Sequence, residues 1–232
     1  MSVITSRVAT IGGAGASQVS GSFTPDAGER LVVLTLGTGN ARTITSVTSS
    51  VGGLPSFLAV ASFVWAHFAS DRIACYIADA NDPGGTPRTI TVAYNLSVGG
   101  SAICVLGVTG INKAGLLGVR QSAIQNPGSA AATPAPVFPA PCLSSNPVIG
   151  FLNNAQNPAA MTEPAGFAEY TDTGFAPLQG VQTVGANSGF SSDTLTWGSA
   201  SPVVFAAFGV ELDATVLTDT MLVMGMLGTG RV

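Results

Sequence analysis

The stretch Thr89-Ile90-Thr91-Val92-Ala93-Tyr94 alternates polar and apolar residues, and a period of two of this kind recurs through most of the chain. Successive side chains of a strand point to opposite faces, so Ile90, Val92 and Tyr94 share one side. The same reading places Ile73, Cys75 and Ile77 on one face of a second strand, with Arg72, Ala74 and Tyr76 on the other. Val204, Ala206, Phe208, Val210 and Leu212 line up in the same way near the end. Further strands are expected over 18–23, 31–36, 44–49, 58–67, 102–108, 147–153, 167–171, 180–184 and 194–197. Most are bounded by Gly, Pro, Asn or Asp, and Asp82-Pro83-Gly84-Gly85 is the sharpest turn signal. No window of twelve residues carries a helical stripe; short helices are expected only over 112–118 and 155–161. The expected fold is therefore all-β: an antiparallel two-sheet β-sandwich, jelly-roll-like or Ig-like, with little helix. It should form one domain over 1–214, with residues 1–16 as a possible extended arm.

Two segments break the pattern. Four prolines stand in the ten residues from Ala132 to Pro141. Such a run is extended and cannot donate to a central ladder. It is either a connector crossing from one sheet to the other or a segment laid along a neighbouring subunit, through Val137 and Phe138. The second is 215–232, where Thr220-Met221-Leu222-Val223-Met224-Gly225-Met226-Leu227 is apolar on both faces. That end is either a last core strand or an assembly tail, and Met adapts well to irregular partner surfaces. The candidate assembly interface is Val137, Phe138, Met221, Leu222, Val223, Met224, Met226 and Leu227.

Charge narrows the function. Asp, Glu, Lys and Arg make up 9% of the residues, against about 25% in an ordinary soluble domain. The eight basic residues are scattered, so no stripe tracks a phosphate backbone and direct nucleic-acid binding is not expected. Residues 1–10 are polar and no apolar run follows them, so no secretory signal is expected. The longest apolar stretch, 57–69, is too short for a spanning helix, and membrane insertion is not expected. Of the three cysteines, Cys75 and Cys104 fall in apolar strands. They could bridge only if those strands are neighbours, and otherwise act as small buried hydrophobes.

The chemistry-bearing residues form no diagnostic pattern. His67 is the single histidine, set in an apolar strand where a half-buried structural role is the simplest account. As a catalytic base it would need a Ser and Asp that no G-x-S-x-G elbow singles out. Asp71, Asp79 and Asp82 flank one strand and are read as turn carboxylates, with a weak calcium site as the alternative. Glu163, Glu169 and Asp172 are the acids a glycosidase would require, without spacing to mark them. Gly12-Gly13-Ala14-Gly15 lacks the Lys and helix of a phosphate loop. No catalytic residue, metal or cofactor is expected.

Taken in order, the phrases Gly28-Glu29-Arg30-Leu31-Val32-Val33-Leu34, Arg72-Ile73-Ala74-Cys75-Tyr76-Ile77, Asp82-Pro83-Gly84-Gly85-Thr86, Ala102-Ile103-Cys104-Val105-Leu106-Gly107-Val108 and Val203-Val204-Phe205-Ala206-Ala207-Phe208-Gly209-Val210 have a shared cadence. Over about residues 17–212 the chain resembles the Gly/Thr/Val-rich β-sandwich modules of bacteriophage virion proteins, of the capsid-decoration or tail-fibre type. The resemblance implies a non-enzymatic structural protein, made in the host cytoplasm and carried in the virion. Its partners would be copies of itself and other virion proteins, the major capsid or tail protein. The alternative is a carbohydrate-binding or adhesin module for a host-surface glycan, with Trp65, Trp197, Tyr94 and Tyr170 as candidate stacking residues, although core positions explain them more simply.

Overall fold

The computed structural model describes residues 2–39, 42–52, 56–66, 71–127, 133–155, 161–175, 179–199 and 204–214. The alternating stretches become strands β1 (Ile4–Gly12), β2 (Gly15–Val19), β3 (Arg30–Thr38), β4 (Ile44–Ser49), β5 (Phe57–Val64), β6 (Arg72–Ala78), β7 (Ile90–Val98) and β8 (Gly100–Val108). After one 3₁₀ turn at Gly115–Gly118 come β9 (Val119–Gln125), β10 (Val148–Asn154), β11 (Met161–Thr162), β12 (Ala168–Phe175), β13 (Gln179–Ala186), β14 (Gly198–Ser199) and β15 (Phe205–Leu212). Sheet I has the order β1-β8-β3-β6-β5 and sheet II the order β12-β13-β10-β15-β9. Sheet III is β2-β7-β4, and β11 pairs with β14 alone. Every described strand pairing is antiparallel.

Sheets I and II face each other across the main core, as a sandwich requires. Val32, Leu34 and Leu36 of β3 and Ile73, Cys75 and Ile77 of β6 meet Ile149 and Phe151 of β10 and Phe208 and Val210 of β15. The structure adds a layer that two sheets do not provide. Leu31 and Val33 of β3, with Ile103 and Val105 of β8, pack outward against Ile90, Val92 and Tyr94 of β7 in sheet III. Strand β3 is thus buried on both faces, which is why its sequence reads as an apolar run rather than an alternation. Trp65, at the end of β5, ties the layers together by donating its indole N–H to the Phe205 carbonyl at 2.9 Å.

The proline-rich segment does not cross between sheets: β9 and β10, which it joins, both belong to sheet II. It instead forms a strap over the outer face of that sheet. The Leu195 and Trp197 amides donate to the Pro136 and Pro134 carbonyls, and the Phe138 amide donates to Asp193. The prolines lack donors but keep their acceptors, so a ladder that uses their carbonyls costs nothing. The stretch 194–197, expected as a strand, is the partner of this strap. Beneath it Gly150 of β10 and Gly209 of β15 stand opposite each other in register. A Cβ on Gly209 would lie 2.7 Å from the Phe138 ring, and one on Gly150 would lie 2.8 Å from the Trp197 ring. Two bare positions make the floor on which the aromatic rings lie.

Two other expectations are corrected. Residues 1–16 are not a free arm, because β1 pairs with β8 along its length, with an irregularity between Ser6 and Val8. The short helix expected over 112–118 contracts to the 3₁₀ turn, and most of 155–161 lies outside the described residues.

Candidate functional site

Pro164-Ala165-Gly166-Phe167 forms a tight turn between β11 and β12, which belong to different sheets. The Phe167 amide donates to the Pro164 carbonyl at 3.0 Å. Gly166, at φ 83°, supplies the left-handed third position such a turn demands. Glu163 and Glu169 stand on either side of this turn, with their carboxyl groups within bonding reach of each other. Behind them the buried amide of Gln182, on β13, donates to Glu163 Oε1 at 3.4 Å and to Glu169 Oε2 at 3.3 Å. Asp172, on β12, is in register with Gln182, so three carboxyl groups and one amide share the outer rim of sheet II.

Two carboxyl groups in contact cannot both ionise cheaply, and the proton they share divides their affinities. The bond to Glu163, then burial and the charges of Asp172 and Glu163, push Glu169 up to about 7. The bond from Glu169 holds Glu163 below the usual carboxylate range. Asp172 is raised by burial and then by the Glu163 charge. Below a pH of about 7 the two glutamate carboxyl groups can share one proton and clamp the base of the turn.

This turn is one wall of an open groove of about 370 Å³. Ala165 and Gly166 form that wall, and residues 186–192, which follow β13, form the other with Ser188, Gly189, Phe190 and Ser191. The Phe190 ring stands edge-on to Phe167, with centroids 5.1 Å apart. No charged side chain lines the groove among the described residues.

The candidate residues from the sequence scatter. Val137 is 61% exposed on the strap, whereas Phe138 is 2% exposed and spent inside its own chain, over Gly209, so it is withdrawn from the interface. Met221, Leu222, Val223, Met224, Met226, Leu227 and His67 lie outside the described residues. Trp65, Trp197 and Tyr94 are buried and cannot stack on a ligand at the surface; Tyr170 packs its ring over Gly185. Cys75 and Cys104 both lie beside Leu34, on opposite sides of β3. That places them two strand spacings apart, about 9.5 Å, beyond the reach of a disulfide. Both are free and buried, and burial pushes both thiols up, Cys104 to about 11.

Asp71 and Asp79 sit at opposite ends of β6, about 20 Å or more apart, and each has its own structural partner. Asp71 accepts from the Gly39 amide, Asp79 from the Ser56 hydroxyl, and Asp82 pairs with Arg88. Among the described residues no three His, Cys, Asp or Glu side chains are grouped to hold a metal. Gly12 and Gly15 close the bend between β1 and β2, where Gln18 donates to the Gly15 carbonyl. The groove and the Phe190–Phe167 pair were not singled out from sequence, and no local motif marks them. Comparison with protein-family models, curated proteins and solved structures found no match, so the likeness to phage virion modules rests on the strand phrases alone.

Proposed function

We propose that the chain is a non-enzymatic structural subunit of a bacteriophage particle, on the capsid or the tail, that works through contacts between subunits. One observation carries this reading: the cations are consumed inside the fold. Arg7 pairs with Glu29 and Asp26, Arg88 with Asp82, Lys113 with Asp213 and Arg120 with Glu211. Arg30 binds Asn81 and the Ala78 carbonyl, Arg42 the Ser97 carbonyl, and Arg72 the Arg42 carbonyl. Only Arg231, outside the described residues, is not accounted for in this way. A surface so short of free charge is poor at keeping monomers apart and suits a chain packed among neighbours. Val137 and the apolar stretch Met221–Leu227 remain its proposed contacts.

The test is the composition of particles. Bacteriophage particles from the host that carries the coding sequence, purified on a density gradient, should contain the chain at a fixed copy number by quantitative mass spectrometry. The purified chain should also sediment as a defined oligomer. Absence from the particles, together with monomeric sedimentation, overturns the proposal.

A further inference from the structure

We infer that the groove between the 163–169 turn and the 186–192 segment is a binding site for a neutral saccharide. This inference is independent of the assembly reading. The lining decides the chemical class. A phosphate or an acidic peptide needs cations, and a metal needs several carboxylates, yet the walls hold only small residues, serines and one aromatic ring. What such walls fit is an uncharged ligand with an apolar face and a hydroxylated rim. The half-buried Phe190 ring lines the groove and is held at right angles to Phe167, and an aromatic ring there can pack against the slightly positive C–H bonds of a pyranose. The hydroxyls of Ser188 and Ser191 have no partner among the described residues, so both are available to a sugar rim.

The backbone is shaped for close approach. Gly166 and Gly189 both line the groove, at φ 83° and 92°, and a Cβ on either would meet nothing within 4 Å. Both positions therefore leave open space beside a peptide group. The groove volume of about 370 Å³ falls at the lower end of ordinary ligand sites, which suits one or two sugar rings. Of the four aromatic residues that the sequence offers for such a role, Trp65, Trp197 and Tyr94 are buried and Tyr170 packs over Gly185.

The test is saturation-transfer-difference NMR on the full chain. The probes are glucose, galactose, mannose, N-acetylglucosamine and their disaccharides, with N-acetylneuraminic acid as the charged control. Saturation should reach the ring C–H protons of at least one neutral sugar. Ser191→Arg, at an exposed position that fills the groove, and Phe190→Ala should each weaken binding tenfold or more. Far-UV circular dichroism and the melting temperature report whether each variant is folded. If Phe190→Ala unfolds the protein, Ser191→Arg decides alone. Absence of transfer to every neutral sugar, transfer that survives Ser191→Arg, or stronger transfer to N-acetylneuraminic acid each overturns the assignment.

Discussion

Gly209 shows how a missing side chain becomes a structural element. Adding a methyl group there gains about 0.4–1 kcal/mol by restricting the unfolded chain. It also drives a Cβ to 2.7 Å from the Phe138 ring, and overpacking of this kind costs about 1–3 kcal/mol. The second effect wins, so Gly209→Ala should lower stability by about 1–2 kcal/mol, read from the urea midpoint at unchanged m-value. Asn153 presents the opposite case. It is fully buried on β10, and among the described residues neither end of its amide has a hydrogen-bond partner. An unsatisfied buried polar group costs about 1–3 kcal/mol. Asn153→Leu, similar in shape, should therefore raise stability by about 1–2 kcal/mol in the same measurement; a loss of that size would show that the amide has a partner in solution. Glu211 is buried and fully satisfied: its carboxylate takes Arg120 at 2.5 Å, Gln121 at 2.6 Å, and the Leu143 amide and Asn146 at 2.8 Å. It anchors both ends of the strap connection to β15.

The turn at 163–169 carries a pH dependence whose sign follows from its two glutamates. Glu169 has a folded value of about 7, above its ordinary 4.5. Its contribution is fully present below the ordinary value and is lost as pH rises through 7. Glu163, held low, contributes above its ordinary value and loses that contribution only in acid. The clamp is therefore strongest in mildly acidic solution. Exchange of the Phe167 amide should quicken between about pH 5 and about pH 8 by more than the intrinsic rate does, and Glu169→Gln, which keeps a donor toward Glu163, should flatten the excess. Unchanged protection across that range in the unsubstituted chain would refute the clamp. Glu163 and Glu169 were visible as acids in the sequence but not as a pair, because six residues bring two side chains together only around a tight turn. Gly166, two positions after Pro164, was the available signal. The strands declared themselves where one face met water or a thin layer, as in β7. They were missed where side chains serve neighbours instead of a core: β9 is polar because Arg120 and Gln121 reach Glu211 and the strap. In β1 the irregularity between Ser6 and Val8 breaks the alternation.

Three stacked sheets and a strap solve a problem set by composition. A chain this rich in small and apolar residues has too little charge to cover a thin sandwich, so it buries strands on both faces and leaves the ion pairs to lock turns and strand ends. Leu116 and Leu117, on the 3₁₀ turn, nevertheless stay exposed. Next to them the chain leaves β15, where the Asp213 amide donates to the Gly118 carbonyl. Ala214 packs against the main apolar cluster, and its amide donates to the Asn146 side chain at 3.2 Å. On the assembly reading, a chain ending at Ala214, which keeps that contact, is expected to retain the β spectrum and melting temperature of the full chain. Burying a side chain such as Met or Leu is worth about 1.5–3 kcal/mol before ordering costs, and several lie between Met221 and Leu227. If they are the contact between subunits, the shortened chain should sediment as a monomer while remaining folded, and Val137→Asp should weaken association without changing the melt. Unfolding of the shortened chain would make 215–232 a core strand and place the contact elsewhere. Normal assembly of the shortened chain would remove the tail from the contact altogether.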